Sequence, residues 1–152
     1  MKNTILIIIV LFLYGCGYSS IYLNQKTSNF KINITKMEGN REMNGLIKNE
    51  LRLYSNKNSN NIYNVKINTN FKKETLTKDS SGNITDYTLS ITSKFQLESN
   101  NRIQSITIKD SADIKNLSNS YDQDTSEKNI KINFASIIRE KLLSRIVNNN
   151  DN

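Results

Sequence analysis

From Ile62 onward, Tyr63, Val65, Ile67, Thr69 and Phe71 hold the odd positions, and Asn64, Lys66, Asn68, Asn70 and Lys72 the even ones. Successive side chains on a strand point to opposite faces, so this alternation predicts a strand over 62–77 with one dry face. Asp79-Ser80-Ser81-Gly82-Asn83 is a turn signal containing glycine, and the alternation then resumes. Tyr87, Leu89, Ile91, Phe95 and Leu97 face one way over 84–98, with Ser93 a polar member of the same set. Ser99-Asn100-Asn101 turns the chain again, and Ile106 and Ile108 carry a fourth strand over 102–110. Three such segments joined by short turns form an antiparallel meander. An earlier strand over 30–36 alternates Phe30, Ile32 and Ile34 with Lys31, Asn33 and Thr35.

Two segments carry helical spacing instead. Met43, Leu46, Ile47, Leu51 and Tyr54 recur at three and four over 40–54, and Asn40 suits the N-cap. Ile130, Phe134, Ile137, Ile138, Leu142 and Ile146 form a second stripe over 124–147. Asp124 with Glu127 three residues later reads as its capping box, and Ser111–Gln123 reads as a polar connection. The order is β-α-β-β-β-α. With one dry face on the sheet, both helices must lie on that face. The expected class is α+β, a two-layer sandwich with a mixed or antiparallel sheet.

The N-terminus follows other rules. Lys2 precedes Thr4–Leu13, ten residues without a charge, and Leu13-Tyr14-Gly15-Cys16 follows. A basic start, a short apolar run and a small residue before the cut are the parts of a secretory signal. The apolar run is short against the roughly 20 residues that a membrane span needs. The block ending at Cys16 resembles a bacterial lipobox, which implies cleavage after Gly15, a diacylglycerol thioether on the Cys16 sulfur and an acyl chain, such as palmitate, on the new amino group. Two other readings compete. Thr4–Leu23 also lacks charge and could remain as an uncleaved anchor, although Gly15, Gly17, Ser19 and Ser20 make it a poor span. A buried apolar strand would leave Lys2 and Gly15-Cys16 unexplained. The expected division is 1–15 signal peptide, 16–28 lipidated tether, 29–147 folded domain and 148–152 disordered tail.

Composition then removes most chemistry. The 152 residues include no His, one Cys and no Trp or Pro, with a net charge of +7. Without His and with one Cys, the usual zinc sites, an internal disulfide and every Ser-His or Cys-His pair are excluded. The carboxylates that lie near one another, Asp122 with Asp124 and Asp110 with Asp113, fall in polar segments without metal-loop spacing. Neither an enzyme nor a noncovalent cofactor is expected. The basic residues are scattered and the aromatics sit on the dry face, which speaks against nucleic acid.

Cys16-Gly17-Tyr18 after the signal, the β-α-β-β-β-α order, Asp86-Tyr87-Thr88-Leu89 opening the third strand and the closing amphipathic helix together form a pattern. The sequence resembles the LptE family over nearly its whole length. That resemblance implies an outer-membrane lipoprotein, anchored on the periplasmic side. It would plug the lumen of an LptD-like β-barrel, support its assembly and take part in lipopolysaccharide (LPS) transport. The competing function is a generic envelope lipoprotein that binds another ligand or protein. Lys72, Lys73 and Lys78, which flank the hairpin between strands two and three, are the candidate LPS-binding residues, since phosphates would favour such charges. The bland alternative is solubilising lysine beside a turn. Lys66, Lys94, Arg102 and Lys109 are individually weaker candidates.

Overall fold

A computed structural model describes residues 30–148. The proposed signal, Cys16, the tether and residues 149–152 lie outside the described residues. The elements are β1 (Lys31–Gly39), α1 (Arg41–Leu53), β2 (Ile62–Lys78), β3 (Ile84–Ser99), β4 (Arg102–Lys115) and α2 (Ser120–Asn148). The sheet is mixed, in the order β1-β2-β3-β4. β1 and β2 are parallel, and β2, β3 and β4 form the antiparallel meander. Parallel neighbours need a crossover, which α1 supplies. Strands β1 and β2 begin, and β4 leaves β3, at one end of the sheet, here the base. The β2–β3 hairpin forms the opposite end, the tip.

The dry face is the one the alternation predicts. Val65, Ile67, Leu89, Ile91, Phe95, Leu97, Ile106 and Ile108 are buried against Met43, Ile47 and Leu51 of α1 and Phe134, Ile138, Leu142 and Ile146 of α2. The two polar members of that face are opposite one another. Thr69 and Ser93 are cross-strand partners, and their hydroxyl oxygens lie 3.4 Å apart. Each therefore satisfies a group that burial would otherwise leave without water.

The helices run parallel. Lys131 pairs with Glu42 at 2.7 Å and Arg139 pairs with Glu50, one match at the start of α1 and one near its end. The Arg139 guanidinium also lies 4.6 Å from the centre of the Tyr54 ring. The Asn40 side chain caps α1 by accepting from the Met43 N–H at 2.9 Å. Gly39, just before it, has φ +85°, and a Cβ there would stand 2.0 Å from the Thr69 carbonyl oxygen. That same carbonyl accepts from the Asn40 N–H at 2.7 Å. The β1–α1 corner thus closes directly onto β2, with no space for a side chain.

The boundaries of β1, β4 and α2 differ from the sequence reading. β1 continues to Gly39, because a bulge at Thr35 shifts the register between Ile34 and Lys36. Lys36 then aligns with Lys66 and Met37 with Ile67, so the alternation reverses within one strand. β4 runs to Lys115, pairing Ala112 with Leu89 and Ile114 with Tyr87. The length of β3 supplies the partner that the polar stretch needs. Finally, α2 starts at Ser120, with the Asn119 side chain accepting from the Tyr121 N–H at 3.0 Å. Asp124 and Glu127 therefore lie inside the helix and form no capping box. At its other end α2 includes Asn148, the first residue assigned to the tail.

Candidate functional surface

Both helices cover one face of the sheet, which leaves the other, outer face open. Its side chains are Asn64, Lys66, Asn68, Asn70 and Lys72 of β2, Thr88, Ser90, Thr92, Lys94 and Gln96 of β3, and Ser105, Thr107, Lys109 and Ser111 of β4. The strand pairings bring these together in rows: Lys66 with Gln96, Asn68 with Lys94, Lys94 with Thr107 and Thr92 with Lys109. Beyond the bulge β1 adds Lys36 beside Lys66. A shallow, open trough of about 540 Å³ lies here, lined by Lys36, Lys66, Lys94, Asn68, Gln96 and Thr107 among others.

Charge on this face is arranged lengthwise. Its middle is lysine, amide and hydroxyl. One acid, Glu38, lies at the β1 edge of that middle, and the others stand toward the ends, with Glu98 near the base and Glu74, Asp86 and Asp113 near the tip. Glu38 pairs with Lys36 at 2.6 Å and accepts from Asn68. The hydrogen bond and charge of Glu38 raise the Lys36 pKa, and those of Lys36 lower that of Glu38. At the tip, hydrogen bonds from the side chains of Thr77 and Thr85 hold the Asp86 carboxyl below its usual range. Asp113 accepts from Thr88 at 2.6 Å.

The three lysines singled out from the sequence do not form one cluster. Lys72 lies on the outer face opposite Ser90, with Glu74 at 3.9 Å. Lys73 points the other way. Its ammonium pairs with Glu127 of α2 and sits 4.1 Å from the centre of the Tyr87 ring. Burial of the Glu127 carboxyl pushes its pKa up. Hydrogen bonds from Lys73 and Gln123, and the charges of Lys73 and Lys131, outweigh this and hold it low. Lys78 ends β2 at the tip, beside the turn. That turn is tied by Asp79, which accepts from the Ser81 and Asn83 N–H groups at 2.9 and 2.8 Å. Gly82 takes φ +86° there. Lys72 and Lys78 are therefore surface cations, whereas Lys73 braces α2. The lysines that share the outer face are Lys36, Lys66, Lys94 and Lys109, with Lys72 further toward the tip. Period two carried this signal, since adjacent strand residues cannot face the same way.

Among the described residues, no group of three or more Cys, Asp or Glu is placed to hold a metal ion, and no helix is long and apolar enough to cross a membrane.

No protein-family model and no curated protein matches the chain. Among solved structures it is similar to rare lipoprotein B from Shewanella oneidensis, with 19% identity and a TM-score of 0.55, over 76% of this chain and 98% of that one. It is also similar to lipoprotein B from Nitrosomonas europaea, with 10% identity and a TM-score of 0.52, over 78% of this chain and 84% of that one. At such identities the likeness is one of fold, and the fold is one that these lipoproteins share.

Proposed function

We propose that this chain is an LptE-like outer-membrane lipoprotein, anchored through Cys16, that occupies the lumen of an LptD-like β-barrel and takes part in LPS transport without catalysing a reaction. The observation that carries this reading is the open outer face. Here the middle of the sheet offers lysine, asparagine, serine and threonine with one carboxylate, Glu38, held by Lys36 at the β1 edge, and the other carboxylates are set toward the ends. That pattern suits extended contact with a polar barrel interior. The fold likeness to lipoproteins and the Leu13–Cys16 block support the anchor.

Purification of the tagged, lipidated chain from detergent-solubilised outer membrane, followed by mass spectrometry, tests the proposal. A large β-barrel protein recovered in equal amount is the expected result. Recovery without any barrel protein overturns it and favours the generic envelope lipoprotein.

A further inference from the structure

The base of the molecule has a chemistry that the barrel reading does not use. An apolar groove of about 370 Å³ opens between β1 and α1. Ile32, Ile34 and Leu51 form its floor, and Lys31, Lys48, Arg52 and Lys57 stand around its mouth. None of these four cations takes part in a salt bridge among the described residues. At the same end of the sheet, Leu53 at the close of α1 and Ile62 and Ile103 on the outer face are 69%, 43% and 64% exposed. Arg102 adds a further exposed cation next to Ile103. Of the nearby carboxylates, Glu50 is held by Arg139, and Glu98 lies across the ladder from Ile103.

We infer that this base docks on the surface of an anionic phospholipid bilayer. An apolar groove edged by cations, with further exposed apolar side chains at the same end, matches the boundary between acyl chains and negatively charged headgroups. A purely electrostatic partner would not call for exposed leucine and isoleucine. The position of the chain entry agrees. Phe30 accepts from the Asn56 N–H at 3.0 Å through its carbonyl, which fixes the start of the domain at this end. The thirteen residues from Gly17 to Asn29 can span at most about 45 Å. An anchor at Cys16 therefore joins the domain at the base and not at the tip. This last step rests on the proposed lipidation, whereas the charge and apolar pattern does not.

The chain contains no Trp, so one introduced indole reports alone. Leu53→Trp places it at the base, and Leu76→Trp at the tip, where Leu76 is 50% exposed. The full lipidated chain is reconstituted with vesicles of phosphatidylcholine, with or without phosphatidylglycerol, carrying a spin-labelled quenching lipid. Leu53→Trp emission should shift to the blue and be quenched in phosphatidylglycerol vesicles, with much less effect in neutral ones. Leu76→Trp should respond in neither. Adding Arg52→Gln and Lys57→Gln should lower the docked-to-free ratio about 25-fold, at roughly fivefold per cation. Equal quenching at Leu53 and Leu76, or quenching untouched by the two Gln substitutions, overturns the inference. Flotation separates it from the anchor. Flotation on phosphatidylglycerol vesicles alone removes the anchor and leaves the docking face standing. Flotation on neither vesicle overturns both.

Discussion

Lys73 of β2 and Glu127 of α2 form an ion pair that pins the N-terminal half of the long helix to the sheet. Gln123 joins it, donating to the same Glu127 carboxylate at 2.9 Å. The Gln123 side-chain oxygen in turn accepts from the Leu117 N–H at 2.8 Å. One carboxylate thus gathers β2, α2 and the connection that precedes α2.

That carboxylate should make stability depend on pH. Its pKa is lower in the folded chain than in the unfolded one. Its contribution is therefore complete above the ordinary glutamate pKa and is lost as pH falls through the lower, folded value. Glu127→Gln should destabilise the protein by about 1 kcal/mol at pH 7, the upper range for a partly exposed pair. The deficit should shrink as acid protonates the wild-type carboxyl. Urea melts of both proteins at pH 7 and at pH 3 measure this.

The sheet faces can be tested by neighbours in sequence. Ile91 is 1% exposed beneath the helices, while Thr92 points outward. Ile91→Asp buries an unpaired charge and should cost several kcal/mol, roughly 3–5. Thr92→Asp should stay within about 0.5 kcal/mol in the isolated protein. Chemical denaturation reads both, and equal losses would contradict the arrangement of the faces.

Two glycines should respond in opposite directions. Gly39→Ala meets the Thr69 carbonyl and a positive φ, so it should lose more than about 1 kcal/mol. Gly45 lies inside α1, and nothing is within 4 Å of a Cβ built there. Gly45→Ala should gain about 0.5–1 kcal/mol from helix propensity. Thermal melts of the pair give the signs directly.

The elements that alternation governs were legible from the chain itself, since Val65, Ile67, Leu89, Ile91, Phe95 and Leu97 could face only one way. The bulge at Thr35 was not, because one extra residue reverses the parity without changing the composition. Nor was the end of β4. Asp110, Ser111 and Asp113 are poor strand formers in isolation, and only pairing with β3 holds them extended. The start of α2 was hidden because Asp124 and Glu127 satisfy a capping pattern while Asn119 does the capping. In the candidate surface, Lys72 and Lys73 looked like neighbours along the chain, yet the pleat sends them to opposite faces. The same pleat gathers Lys66, Lys94 and Lys109, which are far apart in sequence.

This regrouping changes which substitutions should affect LPS. On the proposed function, Lys66→Glu with Lys94→Glu should weaken LPS binding in a salt-sensitive way while the melting temperature holds. Lys72→Glu with Lys78→Glu should have a smaller effect, as one lysine already has Glu74 close by and the other lies at the tip. Lys73→Glu should instead lower the melting temperature, since it opposes Glu127. Binding assays at two salt concentrations, with melts alongside, separate these outcomes.

The anchor has its own test. Cys16→Ala should leave the precursor uncut and unlabelled by radioactive palmitate. Normal processing of that variant would refute lipidation at this position.

The parallel packing of α1 and α2 also fixes an order of events during synthesis. A chain that emerges N-terminus first completes β1, α1 and β2 early. Yet Met43, Ile47 and Leu51 share their buried layer with Phe134, Ile138 and Leu142, which come from the last fifth of the sequence. Until that segment follows, the first half has no complete hydrophobic interior and stays open to chaperones or to premature self-association. Its folding is therefore a late, all-at-once closure, and a chain cut short at Asn119 should remain unfolded instead of forming a smaller stable domain.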